Sequence, residues 1–160
     1  AFYYLSENNV LSYEDFQQHI SDVDASVKAA ELRIAKIRNE LTTQTVIQKH
    51  CDSYRLCRKV IEDCKSAKNP KAYRTRHQAE YQLHDSLKKE LQDLGITKIP
   101  SSDKIQKRIE NLESEQSSTV REKQDLQKKQ KTLEIIQQNF SALLASLEIG
   151  IPTQVKEEIL

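Results

Sequence analysis

Eight apolar residues near the start of the chain follow one another at alternating intervals of four and three residues. They are Phe16, Ile20, Val23, Val27, Ala30, Ile34, Ile37 and Leu41. This spacing places all of them on one stripe of an α-helix and is typical of a coiled-coil seam. A chain with such a stripe is expected to form a long helix that pairs with another helix.

The stripe is interrupted at residues 42–45, which read TTQT, and it resumes one step out of phase at Ile47. The shifted stripe then continues through Tyr54, Cys57, Ile61 and Cys64. A shift of this kind changes the winding of a coiled coil locally, or marks the place where a further helix joins it. We therefore expect an additional packing partner beyond this interruption.

Capping and helix-breaking residues predict three helices. An S-x-x-D capping box at Ser12 opens the first helix, and Asn69-Pro70 ends it, because the residue before a proline disfavours helix. Gly95 ends the second and shorter helix, in which a break near Arg76 is left open. The predicted helices cover residues 12–66, 71–94 and 102–147, with a short N-terminal segment over 1–11 and a tail, or the start of another helix, over 148–160.

The third helix is similar in length to the first, since the two would be about 70 and 80 Å long. Its 4-3 positions are apolar at both ends and polar in the centre, and they include Leu112, Thr119, Lys123, Gln130, Leu133, Gln137, Phe140, Leu144 and Leu147. We predict an all-α fold, a long antiparallel coiled-coil hairpin with the shorter helix packed at its tip as a three-helix bundle. This favours a monomer. A parallel homodimer of the long helices is the alternative that the polar centre leaves open.

The composition favours narrow seams between helices over a large round core. Charged residues make up 31% of the chain and hydrophobic residues 37%, with two glycines and three prolines, as in chains built of long helices.

The net charge of +1 provides no overall field for nucleic acid. No apolar run approaches the roughly 20 residues of a membrane span, so no membrane association is expected. Because the chain starts without methionine, we expect a piece of a longer polypeptide.

Cysteines at positions 51, 57 and 64 lie near His50, His77 and His84 in the sequence. Their spacing fits neither a C-x-x-C metal motif nor a disulfide framework, and buried cysteines pack like small hydrophobic residues. We therefore expect free thiols in a reducing cytoplasm, with no metal and no cofactor. Two glycines are too few for a phosphate-binding loop or an oxyanion hole, so no catalytic residue is assigned.

Lysine and arginine cluster between residues 49 and 76, where nine of them stand against three acidic residues. Such a surface attracts a phosphate backbone, and Tyr54 and Tyr73 are available there for base stacking. The alternative is a solvated helix face with ordinary i,i+4 ion pairs. The residues predicted to contact DNA or a protein partner are Arg55, Arg58, Lys59, Lys65, Lys68, Lys71, Arg74 and Arg76.

The order of several short segments resembles the region that follows the nuclease domain in relaxases of conjugative transposons and mobilisable plasmids. LSENNVL at residues 5–11 is similar to the Glu-Asn-Asn segment that opens this region, and KAAELRIAKI at 28–37 follows it in a long heptad helix. The likeness continues through YRLCRKVIEDCKS and EYQLHDSLKKELQDLGITKIPSSDKIQKRIENLESE and covers about residues 2–147. The chain departs from the family at Lys68-Asn69-Pro70, where a Gly-Tyr turn is frequent.

Relaxases nick DNA with a catalytic tyrosine and a metal-binding histidine triad, both in an N-terminal nuclease domain. This chain contains no His-hydrophobe-His pair, so the resemblance implies a non-catalytic helical accessory region of such an enzyme. The implied role is to position transfer-origin DNA, or to dock accessory mobilisation or coupling proteins. The alternatives are a structural spacer or dimerising coiled coil without a ligand, and a cytoskeletal or viral coiled coil of similar composition.

Overall fold

Long helices make up most of the computed structural model, which describes residues 5, 7, 8 and 10–150, and side chains only as far as residue 142. In this described part lie four helices and no strand: α1 (Tyr13–Ser66), α2 (Pro70–Arg76), α3 (Gln78–Asp93) and α4 (Ser102–Gly150). The all-α prediction is confirmed. None of these four helices has an apolar stretch of the length needed to traverse a lipid bilayer. The predicted tail beyond residue 150 and the seam side chains of Leu144 and Leu147 fall outside what is described.

The start of α1 is fixed by the predicted capping box. The backbone N–H of Asp15 donates to Ser12 Oγ at 3.0 Å, and Asp15 Oδ2 accepts from the N–H groups of Ser12 at 2.9 Å and Leu11 at 3.2 Å. The Ser12 hydroxyl, and after it the Leu11 N–H, lower the pKa of Asp15 from its ordinary value. A carboxylate is thereby held at the positive end of the helix dipole.

Contacts divide the chain into two units, Ala1–Arg33 with Ser118–Leu160, and Ile34–Ser117. In the first unit the helices α1 and α4 run antiparallel, as predicted. One core cluster of this unit consists of Phe16, Val23, Leu133 and Ile136, with Leu5, Val10 and Ile20 packed against them. The seam of α1 is as expected from the 4-3 spacing. The seam of α4 differs at two of the predicted positions. Gln137 is exposed and Ile136 is buried in its place, and Phe140 is 41% exposed.

The polar centre of α4 is matched by acidic residues of α1 within this first unit. Gln130 Nε2 donates to Asp24 Oδ1 at 2.7 Å, and Lys123 Nζ lies 2.8 Å from Glu31 Oε1. The two α1 residues are seven apart and their partners are seven apart in the opposite direction, which defines an antiparallel register. The polar seam positions therefore pair across the two helices.

The second unit is a three-helix bundle, as predicted. Its core joins residues of α1, α3 and α4, namely Ile47, Cys51, Leu91, Ile105 and Ile109, with Leu41, Tyr54, Ile96 and Ile99 packed around them. The shifted stripe thus packs against α3 and α4, and Arg108 of α4 hydrogen-bonds Glu40 of α1 in the same antiparallel sense. Cys51 has no exposed surface and belongs to this core, although the predicted stripe did not include it.

The segment predicted as one helix over residues 71–94 is divided at His77. This residue leaves helical geometry (φ −107°, ψ 23°) and serves as the C-cap of α2 and the N-cap of α3. Its imidazole Nδ1 lies 3.0 Å from Glu80 Oε1, and this hydrogen bond is the main cause that lowers the pKa of Glu80. The break left open near Arg76 is therefore real and lies one residue later.

A Schellman motif ends α3 at the predicted glycine. Gly95 has φ 79°, its N–H donates to Gln92 O at 2.9 Å, and the Ile96 N–H donates to Leu91 O at 2.8 Å. These are the two hydrogen bonds of this motif, and Ile96 also packs on the core that contains Leu91. The glycine thus turns the chain so that the following loop returns to the bundle.

We expect Gly95→Ala to lower the free energy of unfolding by about 1 kcal/mol. The loss comes from backbone strain, because no atom lies within 4 Å of the added Cβ. Urea denaturation followed by circular dichroism measures it. Gly95→Asn is the matched control and should cost less, since asparagine tolerates the left-handed conformation. Equal losses in the two variants would contradict a conformational cause.

Candidate functional site

The eight residues predicted to contact DNA or a partner all lie in the second unit, on the last part of α1, the turn at 67–69 and α2. Seven of them are exposed, and only Arg55 is partly buried. Asn69 shapes this region, because its Oδ1 accepts from the Ala72 N–H at 3.1 Å and caps α2, whose first residue is Pro70. The sequence therefore concentrates cations around one tight connection between two helices.

Arg55 is the member of this set with the most contacts inside the protein. Its guanidinium donates to Asp52 Oδ1 at 2.7 Å, to Ser102 Oγ at 2.9 Å and to the carbonyl oxygen of Pro100. Ser102 and Pro100 belong to the junction between the loop after α3 and the start of α4. Arg55 thus ties α1 to this junction, and its donors are engaged within the protein.

Two more of the predicted residues have internal partners at the surface. Arg58 Nε lies 2.8 Å from Glu62 Oε1, an exposed i,i+4 ion pair of the kind that the solvated-face alternative describes. The guanidinium carbon of Arg74 lies 5.0 Å from the centre of the Tyr81 ring, a cation–π contact between α2 and α3. Arg74 keeps its exposure in this arrangement.

The other five cations are exposed, and within the described part of the chain they have no ion-pair partner. We call this set the cationic turn, and it consists of Lys59, Lys65, Lys68, Lys71 and Arg76. No carboxylate of the described residues pairs with these five side chains. The cationic turn is therefore the part of the predicted site that is free to bind an anion.

The two tyrosines considered for base stacking each have a ring partner in the second unit. Tyr54 stacks on His84 with the ring centres 4.6 Å apart, which fastens α1 to α3. Tyr73 lies against His77 at 4.3 Å, and its pKa is raised chiefly by burial. One face of each ring is therefore occupied within the protein.

A surface groove of about 580 Å³ runs along α2 and α3. It is lined by Lys71, Arg74, Thr75, Gln78, Tyr81, Gln82 and Asp85. These positions recur at helical spacing and so present one continuous polar face with two cations, two amides, an aromatic ring and a carboxylate. Tyr81 was not predicted as a site residue; the only sequence signal for it was its place on the buried face of the short helix.

A second concave surface, of about 410 Å³, lies in the first unit. Its lining is apolar apart from Ser12 and consists of Leu5, Val10, Leu11, Ser12, Tyr13, Phe16, Ile136 and Phe140. Tyr13 and Phe140 stack there with the ring centres 5.4 Å apart. This surface offers no cation for a phosphate.

The thiols are free and buried, which limits their chemistry. Burial is the largest cause that raises the pKa of Cys51 and of Cys57, so the thiolate, which is the reactive form, is disfavoured. Cys64 Sγ donates to the carbonyl oxygen of Pro70 at 3.6 Å and so joins the end of α1 to α2. These contacts give the cysteines a packing role in the bundle.

Histidine contacts in the second unit are with carboxylates and aromatic rings. The nearest carboxylate oxygens lie at 3.3, 3.0 and 3.2 Å in the pairs His50–Glu90, His77–Glu80 and His84–Asp85. Nowhere in the described residues do three or more His, Cys, Asp or Glu side chains converge in a way that could hold a metal ion.

Comparison of the chain with protein-family models, with curated proteins and with solved structures finds no match in any of the three.

Proposed function

We propose that this chain is a non-catalytic helical accessory region of a conjugative relaxase that holds transfer-origin DNA by its phosphate backbone. The order of the sequence motifs supports the relaxase context. The observation that carries the DNA role is the cationic turn, whose exposed side chains have no ion-pair partner among the described residues. Cations left without acidic partners attract a polyanion, which releases its own counterions when it binds.

The charge is local, and this affects what kind of binding is expected. The whole chain carries +1 while the segment 49–76 holds nine basic and three acidic residues, so the positive charge is concentrated in one segment of the chain. Contacts to phosphate position a protein on DNA without reading its sequence. The module would therefore hold DNA in place for a neighbouring nuclease, while the choice of sequence lies elsewhere.

A cytoplasmic location and a monomeric state belong to the same proposal. The three free thiols favour a reducing compartment. Docking of accessory mobilisation or coupling proteins on this surface is the role that remains if DNA does not bind. Sedimentation at several concentrations separates a monomer from the dimerising coiled coil.

We expect the full chain to bind fluorescently labelled DNA with strong salt dependence. The logarithm of the association constant should fall linearly with the logarithm of the salt concentration, with a slope of about −0.7 per contacted phosphate on a single strand and about −0.9 on a duplex. The triple variant Lys59→Gln, Lys65→Gln, Lys68→Gln should weaken binding and reduce the slope by about one per lysine that contacts phosphate. Fluorescence anisotropy measures both quantities.

A triple variant of equal charge is the control for this experiment. Lys107→Gln, Lys129→Gln, Lys131→Gln removes three exposed lysines from α4 and should leave the affinity and the slope nearly unchanged. Equal weakening by the two triple variants would mean that only net charge matters and would overturn the cationic turn as the site. Absence of any salt-dependent binding would remove the DNA role.

A further inference from the structure

The groove along α2 and α3 differs from the cationic turn in the kind of groups it offers. Lys71 and Arg74 supply positive charge, but Gln78 and Gln82 add carboxamides and Tyr81 adds an aromatic ring. Gln78 and Gln82 are exposed and have no hydrogen-bond partner within the described residues. A carboxamide both donates and accepts, so it suits the mixed edge of a nucleobase better than a phosphate, which only accepts.

Arg74 and Tyr81, which both line this groove, contact each other. The guanidinium lies 5.0 Å from the ring centre and forms a cation–π pair. Unpaired bases stack on aromatic rings and on arginine guanidinium planes, and stacking of this kind tolerates any base. Arg74 covers one face of the Tyr81 ring, so the surface offered to a base is the guanidinium of the exposed Arg74.

Asp85 favours contact of this groove with the edge of a base over contact with a phosphate. Its side chain is 84% exposed, and one oxygen lies 3.2 Å from His84 Nδ1. A carboxylate repels phosphate but accepts hydrogen bonds from base amino groups, such as N4 of cytosine. In a duplex one hydrogen of each amino group is engaged in base pairing and the other is reached only through the major groove, whereas an unpaired base presents both.

We propose that this groove binds unpaired nucleotides of a single-stranded DNA segment, with Arg74, supported by the Tyr81 ring, as the stacking group and Gln78 and Gln82 as hydrogen-bonding groups. The inference rests on the proposed DNA role of the cationic turn and specifies the form of DNA that is preferred. Lys71 belongs to both surfaces and would contact the phosphate next to the bound base. The volume of about 580 Å³ lies within the range of small-ligand sites and is sufficient for one or two nucleotides.

The test compares a single strand and a duplex of the same sequence by anisotropy with the full chain. In the double variant Gln78→Ala, Gln82→Ala, the single-strand affinity should fall about three- to tenfold, the loss of one or two hydrogen bonds, while the duplex affinity stays within about twofold. Alanine at these exposed helical positions favours the helix, so folding should be kept, and circular dichroism checks this. Arg74→Lys keeps the charge but removes the planar group, and should likewise weaken only the single strand.

The triple variant of Lys59, Lys65 and Lys68 is the reference for this comparison, because it should weaken both DNA forms alike. If the glutamine variant and Arg74→Lys leave the ratio of single-strand to duplex affinity unchanged, the groove does not bind unpaired bases. Salt-dependent binding by the unaltered chain would still support the proposed function in that case. If the unaltered chain binds neither DNA form, both proposals fail.

Discussion

Replacing Leu91 by alanine should lower the free energy of unfolding by about 2–5 kcal/mol, the range for a large aliphatic side chain removed from a packed core. Leu91 is 1% exposed and belongs to the core cluster that joins α1, α3 and α4 in the second unit. Its removal leaves a cavity between three helices and weakens the attachment of the shortest of them. Urea denaturation monitored by circular dichroism gives the change in the midpoint and in the free energy.

Leu83→Ala is the matched control for this experiment, because it makes the same chemical change on the same helix. Leu83 is 47% exposed and lies outside the core cluster, so its loss should change the free energy of unfolding by less than about 1 kcal/mol. The difference between the two variants measures the packing of α3. Similar losses in both would mean that α3 is not docked through Leu91.

Arg55→Ala should lower the free energy of unfolding by about 1–3 kcal/mol, although arginine is a surface residue in most proteins. The variant removes donors to Asp52, Ser102 and the carbonyl oxygen of Pro100, and a partly buried acceptor left without its donor is costly. Arg58→Ala removes an exposed i,i+4 pair in the next turn and should cost about 0.5 kcal/mol or less.

A third variant, Arg55→Lys, tests whether the planar guanidinium of Arg55, and not its charge alone, provides this stability. Arg55→Lys keeps the charge but cannot form the same planar set of hydrogen bonds, so we expect it to recover only part of the lost stability. If Arg55→Ala costs no more than Arg58→Ala in denaturation, the guanidinium does not tie α1 to the loop before α4. Arg55 would then belong with the exposed cations as a candidate for contact with DNA.

Residues whose role follows from position along one helix were predictable. The 4-3 stripe from Phe16 to Leu41 predicted which side of α1 is buried, and the S-x-x-D pattern at Ser12 and the glycine at position 95 predicted two helix ends. In each case the physical cause lies within a few residues of the signal. The all-α bundle follows from these local signals together with the near equality of the two long helices.

Residues whose role depends on a distant partner were harder to predict. Arg55 looked like any other cation of the basic run, because its acceptors at Pro100 and Ser102 lie more than forty residues away in sequence. Cys51 was not predicted as a core residue, because the predicted stripe after the interruption does not include position 51. The groove depends on Arg74 and Tyr81 lying on two different helices, and the position of the break at His77 decides how those helices meet.

The position of the cysteines has a practical consequence. All three lie in the second unit, all are buried, and the first unit contains none. Alkylation by a thiol reagent under native conditions should therefore wait for that unit to open, and its rate reports the opening of the three-helix bundle alone. The native cysteines can therefore be used to measure the opening of one of the two units, and no added label is required.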